Sequence, residues 1–186
     1  ISESGNMCVD KKPSAMGLIE SRGRRVIASA SLKEKVIKDI LKTDSESIVD
    51  MCYRKNLLGS AAAGSLGYNA HFANIIAALF IATGQDAAHT VDGSLGFTLA
   101  EKTKEGLELT VTLTSLHVGT VGGGTSLPTQ KECLSLLGVA GPSKKPGANA
   151  RTLSEIAASA VLAGELSLLA ALCSKDLAKA HLTHNR

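Results

Sequence analysis

Tryptophan is absent from the sequence, and aromatic residues make up only 3% of its 186 positions. A platform for stacking bases needs aromatic faces, so no nucleic-acid partner is expected. Charge is dispersed as well: 20 Lys and Arg against 17 Asp and Glu leave a net +3, with no like-charge run longer than a pair. Long hydrophobic runs are missing. The longest uninterrupted one covers residues 75–82, far short of the about 20 residues that a bilayer crossing takes. The apolar stretch 156–172 is broken by Glu165 and serines, so no membrane contact is expected from this segment. Cysteine is sparse: Cys8, Cys52, Cys133 and Cys173 are scattered, with no CxxC pair. Neither a metal site nor a disulfide framework is expected, and the thiols read as reduced, in a cytosolic setting. Only four prolines are present, which excludes Pro-rich linkers.

What is present is 44% hydrophobic residues and 18 glycines. That supports a core of Ala, Leu, Ile and Val in one domain, or one large and one small. The patterning predicts an α+β chain with helices dominant. Residues 1–12 read as a polar loop, followed by a short helix to about Glu20 with Pro13 in its first turn. Residues 25–32 alternate, with Val26, Ala28, Ala30 and Leu32 on one side, as a half-buried strand does. Ser31 is placed to cap a helix over about 33–42, in which Glu34 and Lys38 form an i,i+4 pair. A second amphipathic helix is expected over 46–54.

Residues 59–67 are almost all Gly, Ala and Ser and read as a tight passage. Residues 69–83 then form a helix that is apolar on most faces, the pattern of a buried central helix, stopped by Gly84. The clearest strand is 107–115, whose Leu107, Leu109, Val111 and Leu113 alternate with polar residues; 96–100 is its expected hairpin partner. After the glycine-rich stretch 119–125 come a helix over about 128–137, a loop over 138–149 and a long helix over about 150–173. A capping box is placed at Thr152 and Glu155, and a short helical tail follows.

Several residues are suited to chemistry. A strand, a glycine turn and a helix can receive an anion on backbone N–H groups. The 119–125 stretch fits neither the P-loop nor the dinucleotide fingerprint, so a tight turn remains an equal reading. Asp10, Lys11 and Lys12 offer an ammonium held beside a carboxylate, suited to a developing oxyanion; a solvated loop is the plainer alternative. Asp86, at the mouth of the apolar helix, reads either as a carboxylate of raised pKa that moves protons or as a turn-forming residue. His71, His181 and His184 stand alone and decide nothing singly.

Taken in order, DKKP at 10–13, GSAAAGS at 59–65, NAHFANI at 69–75, GQDAA at 84–88, GTVGGGT at 119–125, AGELSL at 163–168 and HLTHNR at 181–186 resemble 3-hydroxy-3-methylglutaryl-coenzyme A reductase. The resemblance runs from Gly5 to Arg186 and is closest to the class shared by eukaryotes and archaea. It implies reduction of an acyl-CoA thioester to an alcohol by two NADPH. By match to the motifs, Lys11 is the cation at the oxyanion, Asp86 tunes the proton network and His181 protonates the leaving thiolate. Ser4, Asn6, Asp10, Lys12, Lys55 and Asn74 match substrate-side positions, and His71 a CoA-side one. Gly122, Gly123 and Gly124, with Asn185 and Arg186, lie toward NADPH.

The resemblance further implies 3-hydroxy-3-methylglutaryl-CoA and CoA as ligands. It implies dimers or tetramers whose active sites are shared, with the lysine and the aspartate drawn from different subunits. The chain is expected to form the C-terminal part of the large catalytic domain, built round a buried central helix with a small sheet. The catalytic segment upstream and most of the small NADPH domain are then missing, and the isolated chain is expected to be inactive. The catalytic region would face the cytosol, at the endoplasmic reticulum if the parent is anchored there. Three departures stand out. The passage Ser65, Leu66, Gly67, Tyr68 is one residue short, which bears on His71. Thr114 and His117 replace Pro and Glu, and Leu95, Gly96 and Phe97 replace a Cys-containing stretch. A non-catalytic homologue that binds acyl-CoA or pairs with a partner subunit is the alternative reading.

Overall fold

The computed structural model describes residues 5–174. Ser4, His181, Asn185 and Arg186 lie outside the described residues, as does the expected helical tail. The architecture is a three-stranded antiparallel sheet with helices packed on one face, which agrees with the α+β expectation.

The first helix, α1 (Ala15–Ile19), is capped by Ser14, whose hydroxyl accepts from the Gly17 amide at 3.0 Å. Pro13 therefore precedes the helix rather than opening it. Strand β1 (Arg24–Lys33) alternates as expected, with Val26, Ala28, Ala30 and Leu32 turned toward the core. Ser31 is not a cap. It lies within β1 opposite Glu108, and the following α2 (Glu34–Val36) starts from Lys33 without a side-chain cap. The turn continues in wider π geometry over Ile37–Leu41, and Glu34 and Lys38 pair at 3.6 Å.

Asp44 caps α3 (Ser45–Met51) by accepting from the Ser47 amide at 2.8 Å. The helix does not stop near residue 54. It runs on in π geometry through Cys52–Gly59 and into α4 (Ser60–Ala62). Alanine is the best helix former, so the first part of the small-residue passage is helical and only its second part is the tight connection. Tyr68 in that connection adds a short parallel bridge to the sheet, donating to Gly96 O at 2.7 Å and accepting from the Thr98 amide at 3.0 Å.

The apolar helix α5 (Phe72–Thr83) buries one face, Phe72, Ile76, Phe80 and Thr83. The opposite side is open, with Ile81 65% exposed. Gly84, at φ 68°, ends the helix in the left-handed conformation. A tight turn and α6 (Thr90–Gly93) lead into β2 (Gly96–Lys102), which forms a hairpin with β3 (Gly106–Leu116). The order β1-β3-β2 makes β3 the central strand. Leu107, Leu109, Val111 and Leu113 are fully buried, each contributing about 1.5–3 kcal/mol relative to exposure. The other face of the sheet is more open, with Ile27 63% and Leu99 45% exposed.

Helix α7 (Pro128–Leu136) opens with Pro128 in its first turn, and α8 (Ala148–Cys173) closes the described structure. Helix α8 begins after Gly147, at φ 75°, and no capping box forms at Thr152, which lies inside the helix. Its stripe Leu153, Ala157, Val161, Glu165 and Leu169 repeats every four residues and is buried across β1, β3 and α5. The 26-residue α8 is also longer and more apolar than run length suggests. By length and composition alone it is long and apolar enough to cross a membrane. In this fold it covers the sheet and carries a buried carboxylate at its centre.

Candidate active site

Three loops converge near the exit of α5. The first is the segment 5–12. Lys11, at φ 59°, turns the chain so that its ammonium lies 2.9 Å from the Asp86 carboxylate. The neighbouring groups anchor the same loop: Lys12 donates to the backbone and side-chain oxygens of Asn6 at 2.7 and 3.0 Å, and Asp10 pairs with Arg22 at 3.0 Å. A hydrogen bond from Cys8 and the Arg22 charge hold Asp10 below its ordinary pKa, against the effect of partial burial.

The second loop is the turn after α5. One Asp86 oxygen accepts from the Ala88 amide at 3.0 Å, so the residue does cap a turn, while the other oxygen faces Lys11. The expected raised pKa is not found. Asp86 is half exposed, and its bond to Lys11 and the Ala88 amide lower its pKa. The same bond raises that of Lys11. The pair is therefore charged at neutral pH, and its two members lie on segments 75 positions apart in the same chain.

The third loop is the glycine stretch. Gln85 ties it to the end of α5, donating to Gly119 O at 2.9 Å and accepting from the Gly119 amide at 2.8 Å. Backbone also packs directly on backbone, since a Cβ on Gly84 would lie 2.3 Å from Gly124 O and one on Gly124 2.7 Å from Gly84 O. Gly122 and Gly123 have φ of 79° and 53°, and a Cβ there would meet nothing within 4 Å. Their backbone thus faces an open cleft of about 570 Å³ shared with Asp86. An uncluttered backbone next to a charged pair fits the approach of a bulky dinucleotide. Ile81, Val121 and Leu127 border this cleft and are 65%, 66% and 54% exposed.

Lys55 and His71 border a second, larger cleft of about 860 Å³, together with Asn69 and the small residues Ser60, Ala63 and Ser65. Asn74 is exposed on α5 and borders neither cleft. The structure therefore groups the sequence-derived candidates into two sets: Asp86, with Lys11 paired to it, and the glycines at one cleft, Lys55 and His71 at the other.

In the sequence Glu165 stands as an interruption of an apolar stretch and within the AGELSL motif, with no role attached to it. It is fully buried and organises the start of α5. Its carboxylate accepts from the Ala70 amide at 2.9 Å, the His71 amide at 2.7 Å, Thr98 Oγ1 at 2.5 Å and Asn56 Nδ2 at 3.4 Å. Asn69 Oδ1 accepts from the Phe72 amide at 3.1 Å. Between them, these two side chains satisfy amides at the start of the helix that have no partner within it. Despite the shortened passage, His71 is therefore held by its backbone to Glu165 and faces the cleft. The sequence signal was a lone carboxylate on the buried stripe of a helix, which persists only if paired.

A third cluster was also missed. His89, Asp92 and His117 converge behind Asp86. Only His117 stood out in the sequence, as a departure from the family pattern; no spacing rule joins it to a pair 25 or more residues earlier. Burial pushes the His117 imidazole below its ordinary pKa.

A lysine–carboxylate pair beside a glycine loop, carried on an α+β frame, is an arrangement chemically suited to meeting a developing negative charge. The family model of hydroxymethylglutaryl-coenzyme A reductase matches residues 1–186, and the chain belongs to that family. Among proteins named 3-hydroxy-3-methylglutaryl-coenzyme A reductase, it is 60% identical to that of Aeropyrum pernix over 97% of the chain and 56% identical to that of Pyrococcus abyssi over 96%. It is 53% identical to that of Zea mays over its whole length. The chain spans 43%, 44% and 33% of these three relatives, respectively.

Proposed function

We propose that the polypeptide to which this chain belongs reduces 3-hydroxy-3-methylglutaryl-CoA to mevalonate and CoA, the reductive step of the mevalonate route to isoprenoids. The observation that carries this reading is the ion pair of Lys11 and Asp86 beside the glycine loop, in a chain of the reductase family. Converting a thioester to a primary alcohol takes two hydrides and two protons and releases the thiol. NADPH, when bound, supplies the hydrides, and Gly122, Gly123 and Gly124 are the residues that fit its approach.

The chain's own residues meet the remaining demands. Lys11 holds its ammonium where negative charge develops on the former thioester oxygen, and Asp86 keeps that ammonium protonated and aimed. Asp10, Lys12 and Asn6 fix the loop that presents Lys11, and Ser4, by the motif match, extends the same substrate side. His181 is assigned protonation of the departing CoA thiolate, with Asn185 and Arg186 near the cofactor; these assignments rest on the motif match alone. Lys55 and His71, and Asn74 by motif, are assigned to the acyl-CoA side.

The chain forms one part of the catalytic domain, round α5. Exposed Ile81, Val121 and Leu127 support completion of the site by further polypeptide, from the remaining domain or a second subunit of a dimer or tetramer. The isolated chain is then inactive. The test uses the full-length polypeptide with 3-hydroxy-3-methylglutaryl-CoA and NADPH. The reading expects mevalonate, with two NADPH oxidised per CoA thiol released. Binding of the acyl-CoA without any oxidation of NADPH would replace it with the acyl-CoA-binding homologue.

A further inference from the structure

Asp92 is almost completely buried at α6, and two imidazoles close over its carboxylate. His89 Nδ1 lies 3.1 and 3.2 Å from the two Asp92 oxygens, His117 Nδ1 lies 3.4 Å from Asp92 Oδ2, and the two Nδ1 atoms are 2.9 Å apart. One ligand-capable atom from each residue therefore falls within 4.8 Å of the others. The rings meet edge to face, with centroids 4.3 Å apart, so both Nδ1 atoms point into the same small space.

Protons alone serve this triangle poorly. If both Nδ1 atoms carry hydrogen, the two N–H groups meet head-on at 2.9 Å. If only one does, its proton can bridge the two Nδ1 atoms at 2.9 Å or serve Asp92, so a single proton does not serve all three groups fully. A cation at the centre receives all three lone pairs at once. The spacing suits one: bonds of about 2.0–2.1 Å to nitrogen and oxygen in a tetrahedral zinc site put ligand atoms about 3.3 Å apart.

We propose that His89, Asp92 and His117 form a binding site for a divalent transition-metal ion, zinc in particular. Two imidazoles and one carboxylate favour zinc over magnesium or calcium, which prefer all-oxygen shells. The site is reached from solvent, since the His89 and His117 side chains keep 16% and 18% of their surface exposed. With each Nδ1 on the metal, each Nε2 carries the proton. The Nε2 of His89 then lies 4.0 Å from Asp86 Oδ2.

The position gives the ion a structural role. His89 lies on the turn that follows Asp86, Asp92 lies on α6 directly after it, and His117 immediately follows β3, two residues before the glycine stretch begins. The His117 ring also rests on the Gly23 backbone, where a Cβ would come within 2.2 Å of the ring. A metal here fastens the turn carrying Asp86 to the strand that leads into the glycine loop.

The test is made on the full-length polypeptide, stripped with chelator, loaded with Zn²⁺ and gel-filtered. One zinc per chain is expected to remain, with a raised melting temperature. Cobalt in its place is expected to give the visible absorption of a four-coordinate site. His89→Gln and His117→Gln are each expected to weaken zinc binding on the order of 100-fold in chelator competition, while their circular dichroism matches that of the metal-free parent. Loss of all zinc from the parent on gel filtration would overturn the proposal, as would zinc retained equally by both variants. If a variant fails to fold, the cobalt spectrum of the parent decides: absorption typical of six-coordinate aqueous cobalt refutes the site.

Discussion

The Lys11 ammonium lies 2.9 Å from Asp86 although 75 positions separate the two residues, and both keep about half of their side-chain surface in solvent. An exposed ion pair adds little to stability, typically about 0–1 kcal/mol. On the proposed function its value lies in chemistry rather than in folding. Lys11→Met is expected to leave the melting temperature within about 2 °C of the parent. A large drop would assign the pair a structural role instead.

The pair also sets the direction of a pH effect. The folded-state pKa of Asp86 is lowered, so the favourable state is complete above its ordinary carboxylate range and is lost as pH falls through the lower folded value. The acid limb of kcat/KM, where it reports Asp86, is expected below that of an ordinary aspartate. Removing the Lys11 charge is expected to move that limb upward. A limb that stays in place in Lys11→Met would separate Asp86 from the ionisation that limits activity.

Glu165 carries more of the fold than any group in the candidate site. Its removal leaves buried donors at Ala70, His71 and Thr98 without their acceptor. At about 1–3 kcal/mol for each unsatisfied buried group, with partial relaxation, Glu165→Ala is expected to cost about 3–5 kcal/mol in denaturant unfolding. Glu165→Gln keeps an acceptor and is expected to cost less. Equal losses in the two variants would show that charge, not hydrogen bonding, anchors the start of α5.

Cys52 gives a chemical probe of the same region. Burial, reinforced by the negative Glu165, pushes its thiol up to about 11, and its Sγ–H donates to Thr98 O at 3.4 Å. Alkylation in the native state at neutral pH is expected at exposed Cys8 and not at Cys52. The linkage has a definite sign. A folded pKa above the unfolded value stabilises the fold fully below pH about 9 and is lost as pH rises toward about 11. Cys52→Ala is therefore expected to flatten the alkaline decline measured by chemical unfolding. An unchanged decline would place its origin elsewhere.

The contact between Gly84 and Gly124 predicts a separable effect on the cofactor side. Gly84 has φ 68°, and a Cβ there would strike Gly124 O. Gly84→Ala is expected to destabilise by more than about 1 kcal/mol and to raise the KM for NADPH more than that for the acyl-CoA. An effect on the acyl-CoA alone would contradict the assignment of the glycine loop.

The hairpin of β2 and β3 was legible because Leu107, Leu109, Val111 and Leu113 alternate strictly and a charged turn precedes them. Helix α8 was legible as a long helix over about 150–173, but its buried stripe through Glu165 was not. Boundaries were less legible. Ser31 has the chemistry of a cap but is claimed by cross-strand pairing, and α8 starts at a left-handed Gly147 rather than at the capping-box spacing. Ordered motifs, not any local property, single out Lys11, Asp86, His71 and the glycines, and of these the structure joins Lys11 to Asp86 and places Asp86 and the glycines at one cleft. The roles of Glu165 and the trio of His89, Asp92 and His117 were not legible, because their partners come from distant segments and only the tertiary fold joins them.

The central claim is that Lys11 supports reduction of a thioester carbonyl. The most direct measurement is the single-turnover rate of NADPH oxidation with 3-hydroxy-3-methylglutaryl-CoA, made on the full-length polypeptide and its Lys11→Ala variant. The account predicts turnover in the parent and a fall of about 10²–10³ or more in the variant, with the fold intact by circular dichroism. A variant that reduces the thioester as fast as the parent would contradict it.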